Sequence, residues 1–251
     1  MSLRYFDLKS VLFVFFLWVY CRQYYRVNDQ LRDMPGPLHE VEIPFRKATF
    51  GMGCFWACDA LFGGTPGVLR TRVGYSGGSK ENPEYRNLGD HTEVIEIDFD
   101  PKTITYEELL KLFWDNHEYG LTTIIKRQYM SLILYHDDDQ KRIAEISLKK
   151  ESHKRNEKLT TVIEAAQTFY DAEDYHQKYR LQQHRWLVEA LELTPELLKK
   201  SHVAAKLNGY LSGVGTPEFI EGDLIRLGLS KNISDYIIQQ HSGNLGGNLY
   251  C

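Results

Sequence analysis

Cysteine is scarce in this sequence, and the few thiols are poorly placed for the usual structural uses. The 251 residues include four cysteines, at positions 21, 54, 58 and 251. The chain is too long and the spacing too irregular for a disulfide scaffold. No C-x-x-C motif occurs, and no second pair of close ligands accompanies Cys54 and Cys58, which argues against a zinc site. A reactive thiol with a distant partner therefore remains the interpretation to test.

The sequence also lacks an excess of positive charge and a long hydrophobic run. Its net charge of -4 gives no support to nucleic-acid binding, which favours a basic surface. The apolar run at residues 11–21 has about the length of a signal-peptide core and is too short to span a bilayer. Residues 1–22 are therefore either a signal or membrane-anchor segment, which predicts a secretory or membrane location, or an N-terminal extension of a cytoplasmic protein.

The rest of the chain divides into three parts by its patterning. Residues 23–45 contain proline and glycine without sustained periodicity and read as a linker. Residues 46–190 alternate strand-like and helix-like segments, which predicts an α+β domain with a mixed sheet. Residues 191–251 predict a helical extension that ends in a glycine-rich tail bearing Cys251. Thr-Pro pairs at Thr194 and Thr216 are typical helix starts.

Cys54 lies where a strand predicted at 47–51 gives way to a helix predicted from Phe55. The N-terminus of a helix carries unpaired N–H groups and partial positive charge, which stabilise a thiolate. The preceding Gly51-Met52-Gly53 is not a dinucleotide-binding loop, because the third glycine of that motif is replaced by Trp56. Phe55 and Trp56 cannot both face the core of a short helix, so one of them can line a site wall that suits a thioether.

Glu93 is the candidate acid. The strand predicted at 92–99 places Ile95, Ile97 and Phe99 on one face, and Glu93 shares that parity. Burial raises the pKa of a carboxyl group, so Glu93 can carry a proton near neutral pH, as a general acid must. The alternative is a solvated glutamate at a fraying strand end.

Several motifs together resemble the peptide methionine sulfoxide reductase A family, over roughly residues 46–180. They occur in the family's order and at similar spacing. The motifs are Gly53-Cys54-Phe55-Trp56, Val73-Gly74-Tyr75-Ser76-Gly77-Gly78, Pro83-Glu84-Tyr85, Gly89-Asp90-His91-Thr92-Glu93-Val94 and Ala172-Glu173-Asp174-Tyr175-His176-Gln177.

The resemblance implies a fold, a reaction and a set of roles. The fold is a two-layer α/β sandwich with a mixed, ferredoxin-like sheet, and the enzyme is a peptide-methionine (S)-S-oxide reductase. Its substrates would be oxidised-methionine proteins and free methionine sulfoxide, with no bound cofactor or metal and with thioredoxin as the external reductant. The roles carried over are a nucleophile at Cys54, a methyl pocket at Phe55 and Trp56, an acid at Glu93, and oxygen-binding hydroxyls at Tyr85 and Tyr129.

Two departures from the family pattern bear on the mechanism. The loop at 118–127 is shorter, and Ile124 stands where the spacing predicts an aspartate. The family's resolving cysteine in a Gly-Tyr-Cys sequence is also missing. Cys251 is favoured as the resolving thiol because a remote tail closes a loop at little extra entropic cost. Cys58 is the alternative, although one helical turn is a strained geometry for a disulfide with Cys54.

Two other functions remain open at the level of the sequence. One is a catalytically weak relative that serves as a redox-sensitive protein-interaction module. The other is a thiol peroxidase, for which the apolar wall predicted at Phe55 and Trp56 has no evident use. Reduction of methionine sulfoxide that depends on Cys54 would separate the reductase from both.

Overall fold

A computed structural model describes residues 36–117 and 121–245 of the chain. The predicted signal or anchor segment at 1–22, most of the predicted linker, and Cys251 lie outside these ranges. Within them, no helix combines the length and apolar character needed to cross a membrane.

A six-stranded mixed sheet forms the centre of the molecule, as the sequence predicts. Its order is β5-β4-β1-β3-β2-β6, and every pairing is antiparallel except that of β4 with β5. The sheet is open, and the fold is α+β. The strands are β1 (Arg46–Met52), β2 (Val68–Ser76), β3 (Thr92–Phe99), β4 (Ser131–Tyr135), β5 (Val162–Ala165) and β6 (Tyr170–Asp171).

Helices cover the sheet and continue beyond it. The helices are α1 (Phe55–Gly64), α2 (Tyr106–Asp115), α3 (Asp138–Arg155), α4 (Tyr179–Gln182), α5 (Arg185–Ala190), α6 (Pro195–Lys200), α7 (His202–Tyr210), α8 (Pro217–Arg226) and α9 (Lys231–Asn244). A 3-10 turn spans Arg127–Tyr129. Apolar side chains of α1, α2 and α3 join those of β1 and β3 in the main core. Burial of these side chains is the principal stabilising contribution to the domain.

The passage from β1 to α1 is tight. Gly53 has φ +87°, a conformation that side chains with a Cβ rarely adopt. Cys54 follows with extended backbone as the N-cap of α1. The chain thus turns within two residues from the sheet into the helix, and the predicted junction position of Cys54 is confirmed.

The C-terminal helices form a second apolar core and pack on α1. Their predicted starts are confirmed, because Thr194 and Thr216 cap α6 and α8 with their side chains. The crossing of α7 with α1 is close enough that a Cβ on Gly209 would lie 2.3 Å from the backbone nitrogen of Gly64. Nζ of the buried Lys206 donates a 2.6 Å hydrogen bond to the carbonyl of Thr65, directly after α1. The extension therefore holds the end of α1 that is remote from Cys54.

One local prediction is wrong. The sequence of residues 172–177 predicts a helical piece, but these residues form extended chain and turns before α4. The side-chain amide of Gln177 explains this, because it bonds both the N–H and the carbonyl of Val73 and so ties the segment to β2. On β3, Glu96 and Asp98 lie on the face opposite to Ile95 and Ile97, and they are buried as well. Lys47 neutralises both of them.

Candidate active site

The thiol predicted to be reactive lies at the N-terminus of α1. Cys54 is partly exposed and takes part in a disulfide. Cys58, one turn further on, is a buried free thiol whose Sγ lies 3.3 Å from the carbonyl of Cys54. Burial, with the nearby carboxyls of Glu93 and Asp59, raises the pKa of Cys58 far above its usual value. The first turn of α1 thus contains one oxidised and partly accessible cysteine and one inert cysteine.

Glu93 reaches the same helix start from β3. Its side chain is buried, with Oε2 accepting a 3.2 Å hydrogen bond from the backbone N–H of Phe55. Oε1 accepts a 2.7 Å hydrogen bond from the side-chain amide of Gln128. Burial raises the pKa of Glu93 to about 7, against the two hydrogen bonds, which lower it. The carboxyl therefore exchanges a proton near neutral pH and contacts the residue that follows Cys54.

Two tyrosine hydroxyls adjoin this carboxyl. Tyr129, in the 3-10 turn, interacts by a side-chain hydrogen bond with Tyr85. Burial, this hydrogen bond and the charge of Glu93 all raise the pKa of Tyr129, so its phenol keeps its proton. The structure thus brings Tyr85, Tyr129 and Glu93 together, although they are distant in the sequence. The pair can donate to an oxygen placed between them.

The two aromatic residues after Cys54 have different surroundings. Phe55 is buried against Val73 and Tyr75 of β2. Trp56 is only partly buried, and its indole stacks on Tyr179 with 3.8 Å between ring centroids and 5° between planes. Both side chains pack in one aromatic cluster next to Cys54, and Trp56 is the more exposed of the two.

Several residues of the site carried no recognisable signal of their role in the sequence. Gln128, Glu173 and His176 act through hydrogen bonds between segments far apart in the chain. Glu173 accepts hydrogen bonds from the hydroxyl of Tyr75 and the backbone N–H of Tyr85. The sequence motif at 172–177 contains Glu173 and His176 and indicated this region, whereas the contacts of all three residues are seen only in the structure.

The shortened loop contributes no acid at the position where the family pattern has one. Ile124 is 88% exposed, so its side chain points to solvent. Leu121, at the other end of the described part of this loop, is buried and accepts a 2.6 Å hydrogen bond from the N–H of Thr160. Glu118, the acidic residue of this loop that could substitute for the missing aspartate, lies outside the described residues. Within the part of the chain that the structure describes, no cluster of three or more metal-ligating side chains occurs.

A partly exposed, oxidised cysteine at a helix start, beside a carboxyl group that titrates near neutrality, defines a thiol-dependent oxidoreductase. A family model described as "Peptide methionine sulfoxide reductase" matches residues 46–206. The chain belongs to this family of enzymes.

Individual relatives agree with this assignment. A "Peptide methionine sulfoxide reductase" of Drosophila melanogaster is 53% identical over 225 residues, which is 89% of this chain and 92% of that protein. "Peptide methionine sulfoxide reductase A5" of Arabidopsis thaliana is 38% identical over 76% of this chain and 77% of its own length.

Solved structures give the same fold. Methionine sulfoxide reductase A of Corynebacterium diphtheriae matches with a TM-score of 0.50 and 29% identity over 61% of this chain and 84% of that chain. Mxr1 from Saccharomyces cerevisiae in reduced form matches with a TM-score of 0.51 and 29% identity, over 56% of this chain and 87% of that chain.

Proposed function

We propose that this protein reduces methionine-S-sulfoxide, in proteins and as the free amino acid, with Cys54 as the nucleophile. The observation that carries the proposal is the contact between Glu93 and the N–H of Phe55. It places a carboxyl group with a pKa of about 7 beside the residue that follows the thiol. A proton donor and a thiol at one helix start are the two groups that removal of a sulfoxide oxygen needs.

The proposed first step transfers oxygen from substrate to enzyme. Glu93 donates a proton to the sulfoxide oxygen while Tyr85 and Tyr129 donate hydrogen bonds to it. The Cys54 thiolate attacks the substrate sulfur, so that an S–S bond forms as the protonated oxygen leaves that sulfur. The oxygen then bonds to Sγ of Cys54 while the S–S bond breaks and its electron pair returns to the methionine sulfur. Methionine leaves reduced by two electrons, and Cys54, oxidised by two electrons, becomes a sulfenic acid.

Trp56 and Phe55 are the residues proposed to hold the methyl group. Phe55 is buried against β2, whereas the indole of Trp56 is partly exposed and held by stacking on Tyr179. Sulfur and its methyl substituent interact favourably with aromatic rings. A sulfoxide held against Trp56 would present its sulfur to Cys54, two residues along the same turn.

The proposed second step regenerates the thiol through Cys251. The sulfenic acid condenses with a second thiol, which forms a disulfide and releases water. Cys58 is disfavoured for this step, since it is buried and free while Cys54 is in a disulfide. Cys251 lies outside the described residues, so its role rests on the reach of the tail.

The geometry of the extension supports that reach. The side chain of Asn244, at the end of α9, donates to the carbonyl of Leu211, and Val214 packs on Gly64 at the C-terminal end of α1. The ten residues of α1 rise about 15 Å. Residues 246–251 span at most about 20–22 Å when extended. Six extended residues are thus longer than α1, which separates its C-terminal end from Cys54.

Thioredoxin is the proposed external reductant. A dithiol protein reopens a disulfide by thiol exchange, with two electrons passing from the dithiol to the disulfide. The partial exposure of Cys54 is compatible with that attack.

The proposal is tested by methionine formation from methionine-S-sulfoxide with dithiothreitol as reductant. We expect turnover by the wild-type protein and by Cys58→Ser, and none by Cys54→Ser. Equal turnover by Cys54→Ser and the wild type would overturn the proposal. A fully folded wild-type protein that binds partners in a redox-dependent way but forms no methionine would favour the interaction module instead.

A further inference from the structure

His176 lies at the centre of the aromatic cluster beside Cys54. Its ring centroid is 5.1 Å from that of Phe55, 5.6 Å from Trp56 and 4.7 Å from Tyr85. The side chain is only 2% exposed. It is therefore a buried imidazole among the residues proposed to bind substrate, and it has no role in the proposed reaction steps.

The hydrogen bond of His176 fixes its tautomer. The indole Nε1–H of Trp56 donates to Nδ1 of His176 over 3.0 Å. An accepting Nδ1 has no proton, so the neutral ring must have its proton on Nε2. Burial lowers the pKa of His176, against an opposing effect of Glu173, and this keeps the ring neutral.

The other ring nitrogen, Nε2, is buried without a hydrogen-bond partner. The nearest carboxylate oxygen, Oε2 of Glu173, is 3.9 Å away. That oxygen already accepts a 2.7 Å hydrogen bond from the hydroxyl of Tyr75. A buried N–H without a partner is destabilising, because it has lost its hydrogen bonds to water. A histidine placed only for packing has no need of this arrangement, because an apolar ring would avoid the cost.

We propose that His176 is a positioning residue for sulfoxide reduction, because its Nδ1 fixes the orientation of the Trp56 indole that forms the open wall of the substrate pocket. The inference rests on the proposed function. Stacking on Tyr179 restrains the plane of the indole, but rotation within that plane leaves stacking intact. The hydrogen bond at the indole edge removes that remaining freedom. His176 thus acts through Trp56 and does not touch the reacting atoms.

Two variants separate positioning from packing. His176→Phe keeps a ring and removes the acceptor. His176→Asn removes the ring and retains an oxygen acceptor near the place of Nδ1. We expect His176→Phe to raise KM for methionine-S-sulfoxide about three- to tenfold, the usual effect of one lost hydrogen bond, with kcat little changed. We expect His176→Asn to restore KM in large part.

A spectroscopic measurement tests the contact itself. In ¹H–¹⁵N spectra, the indole N–H resonance of Trp56 should move upfield in His176→Phe and stay near its wild-type position in His176→Asn. A resonance that does not move in His176→Phe overturns the inference, whatever the activity of the variant.

A double-mutant cycle tests whether the effect of His176 on KM depends on Trp56. Trp56→Phe removes the indole donor, so His176→Phe should change KM no further in that background. An undiminished second effect means that His176 acts elsewhere, and it contradicts the inference. If only this inference fails, the wild-type protein still reduces methionine sulfoxide in a reaction that depends on Cys54. Absence of sulfoxide reduction by the wild type would instead overturn the proposed function, and this inference with it.

Discussion

The backbone N–H of Phe55 and the carboxyl group of Glu93 are joined by a hydrogen bond of 3.2 Å, which connects the start of α1 to the neighbouring strand β3. The contact fixes the acid relative to the helix that begins at Cys54. Burial of the carboxyl group raises its pKa to about 7, although this hydrogen bond and the one from Gln128 lower it. The hydrogen bond therefore sets the position of the proposed acid, and burial sets its protonation.

Replacement of Glu93 by glutamine tests its chemical role. The amide keeps the size of the side chain but provides no acidic proton for the sulfoxide oxygen. We expect kcat/KM with dithiothreitol to fall by about 10²- to 10⁴-fold, the range typical of a lost general acid. The thermal unfolding midpoint of the variant serves as the control for folding. Activity within about threefold of wild type would remove Glu93 from the mechanism.

The pH dependence of catalysis follows from the same carboxyl group. The acid is active when protonated, so kcat/KM should fall as pH rises through about 7, approaching a tenfold loss for each further pH unit. In Glu93→Gln the residual rate should lack this alkaline decline. Rates measured from pH 5 to 9 check this, and a decline that persists in the variant would assign it to another group.

Stability should vary with pH in the corresponding sense. The folded-state pKa of Glu93 is raised, so the folded protein binds the extra proton. The associated stability is full below the unfolded pKa of about 4.3 and is lost as pH rises through about 7. We expect the free energy of unfolding of the wild type to fall relative to Glu93→Gln by up to about 3 kcal/mol between pH 4 and 8. Urea titrations of both proteins measure this, and parallel curves would contradict it.

The buried ion pair of Asp59 and Lys178 predicts a large loss of stability on substitution. The two side chains are fully buried, with 3.0 Å between Nζ and Oδ1, and Asp59 also accepts from the hydroxyl of Thr71. Asp59→Ala should destabilise the protein by about 3–5 kcal/mol, because it leaves a buried cation without its counter-charge. The exposed pair of Lys111 and Asp115 is the matched control, and Asp115→Ala should cost less than about 1 kcal/mol. Equal losses in denaturant unfolding would contradict the argument.

If the tail carries the resolving thiol, regeneration of the Cys54 thiol should depend on the length of the tail and not on its composition. Deletion of residues 246–247 leaves four residues, which span at most about 14 Å, less than the rise of α1. Thioredoxin-driven turnover should fall at least tenfold, while one methionine per enzyme still forms without reductant. Replacement of the same two glycines by serines keeps the length and should keep the rate. A deletion variant that recycles at the wild-type rate would rule out the tail as the source of the resolving thiol.

Much of the site could be predicted because its signals are local. The turn that places Cys54 at a helix start depends on neighbouring glycines, and the parity of β3 places Glu93 on the same face as Ile95, Ile97 and Phe99. The partners that tune the site could not be predicted. Gln128 bonds Glu93 across 35 positions and His176 bonds Trp56 across 120, and such contacts leave no periodic trace in the sequence.

The failed helix prediction at 172–177 has the same physical origin. These residues have helical propensity, but the Gln177 amide bonds the backbone of Val73 on β2 and holds the segment in extended chain and turns. Glu96 alternates with apolar residues of β3, yet it is buried, because Lys47 and Arg72 pair with it. In both cases tertiary hydrogen bonds outweigh a local preference.

The central claim is that Cys54 itself takes the oxygen of the sulfoxide. The most direct measurement is trapping of a sulfenic acid with dimedone in Cys251→Ser after one turnover with methionine-S-sulfoxide, followed by peptide mass spectrometry. We predict one dimedone adduct on Cys54 for each methionine formed, and none on Cys58. Methionine formation with an unmodified Cys54, or with the adduct on Cys58, would contradict the account.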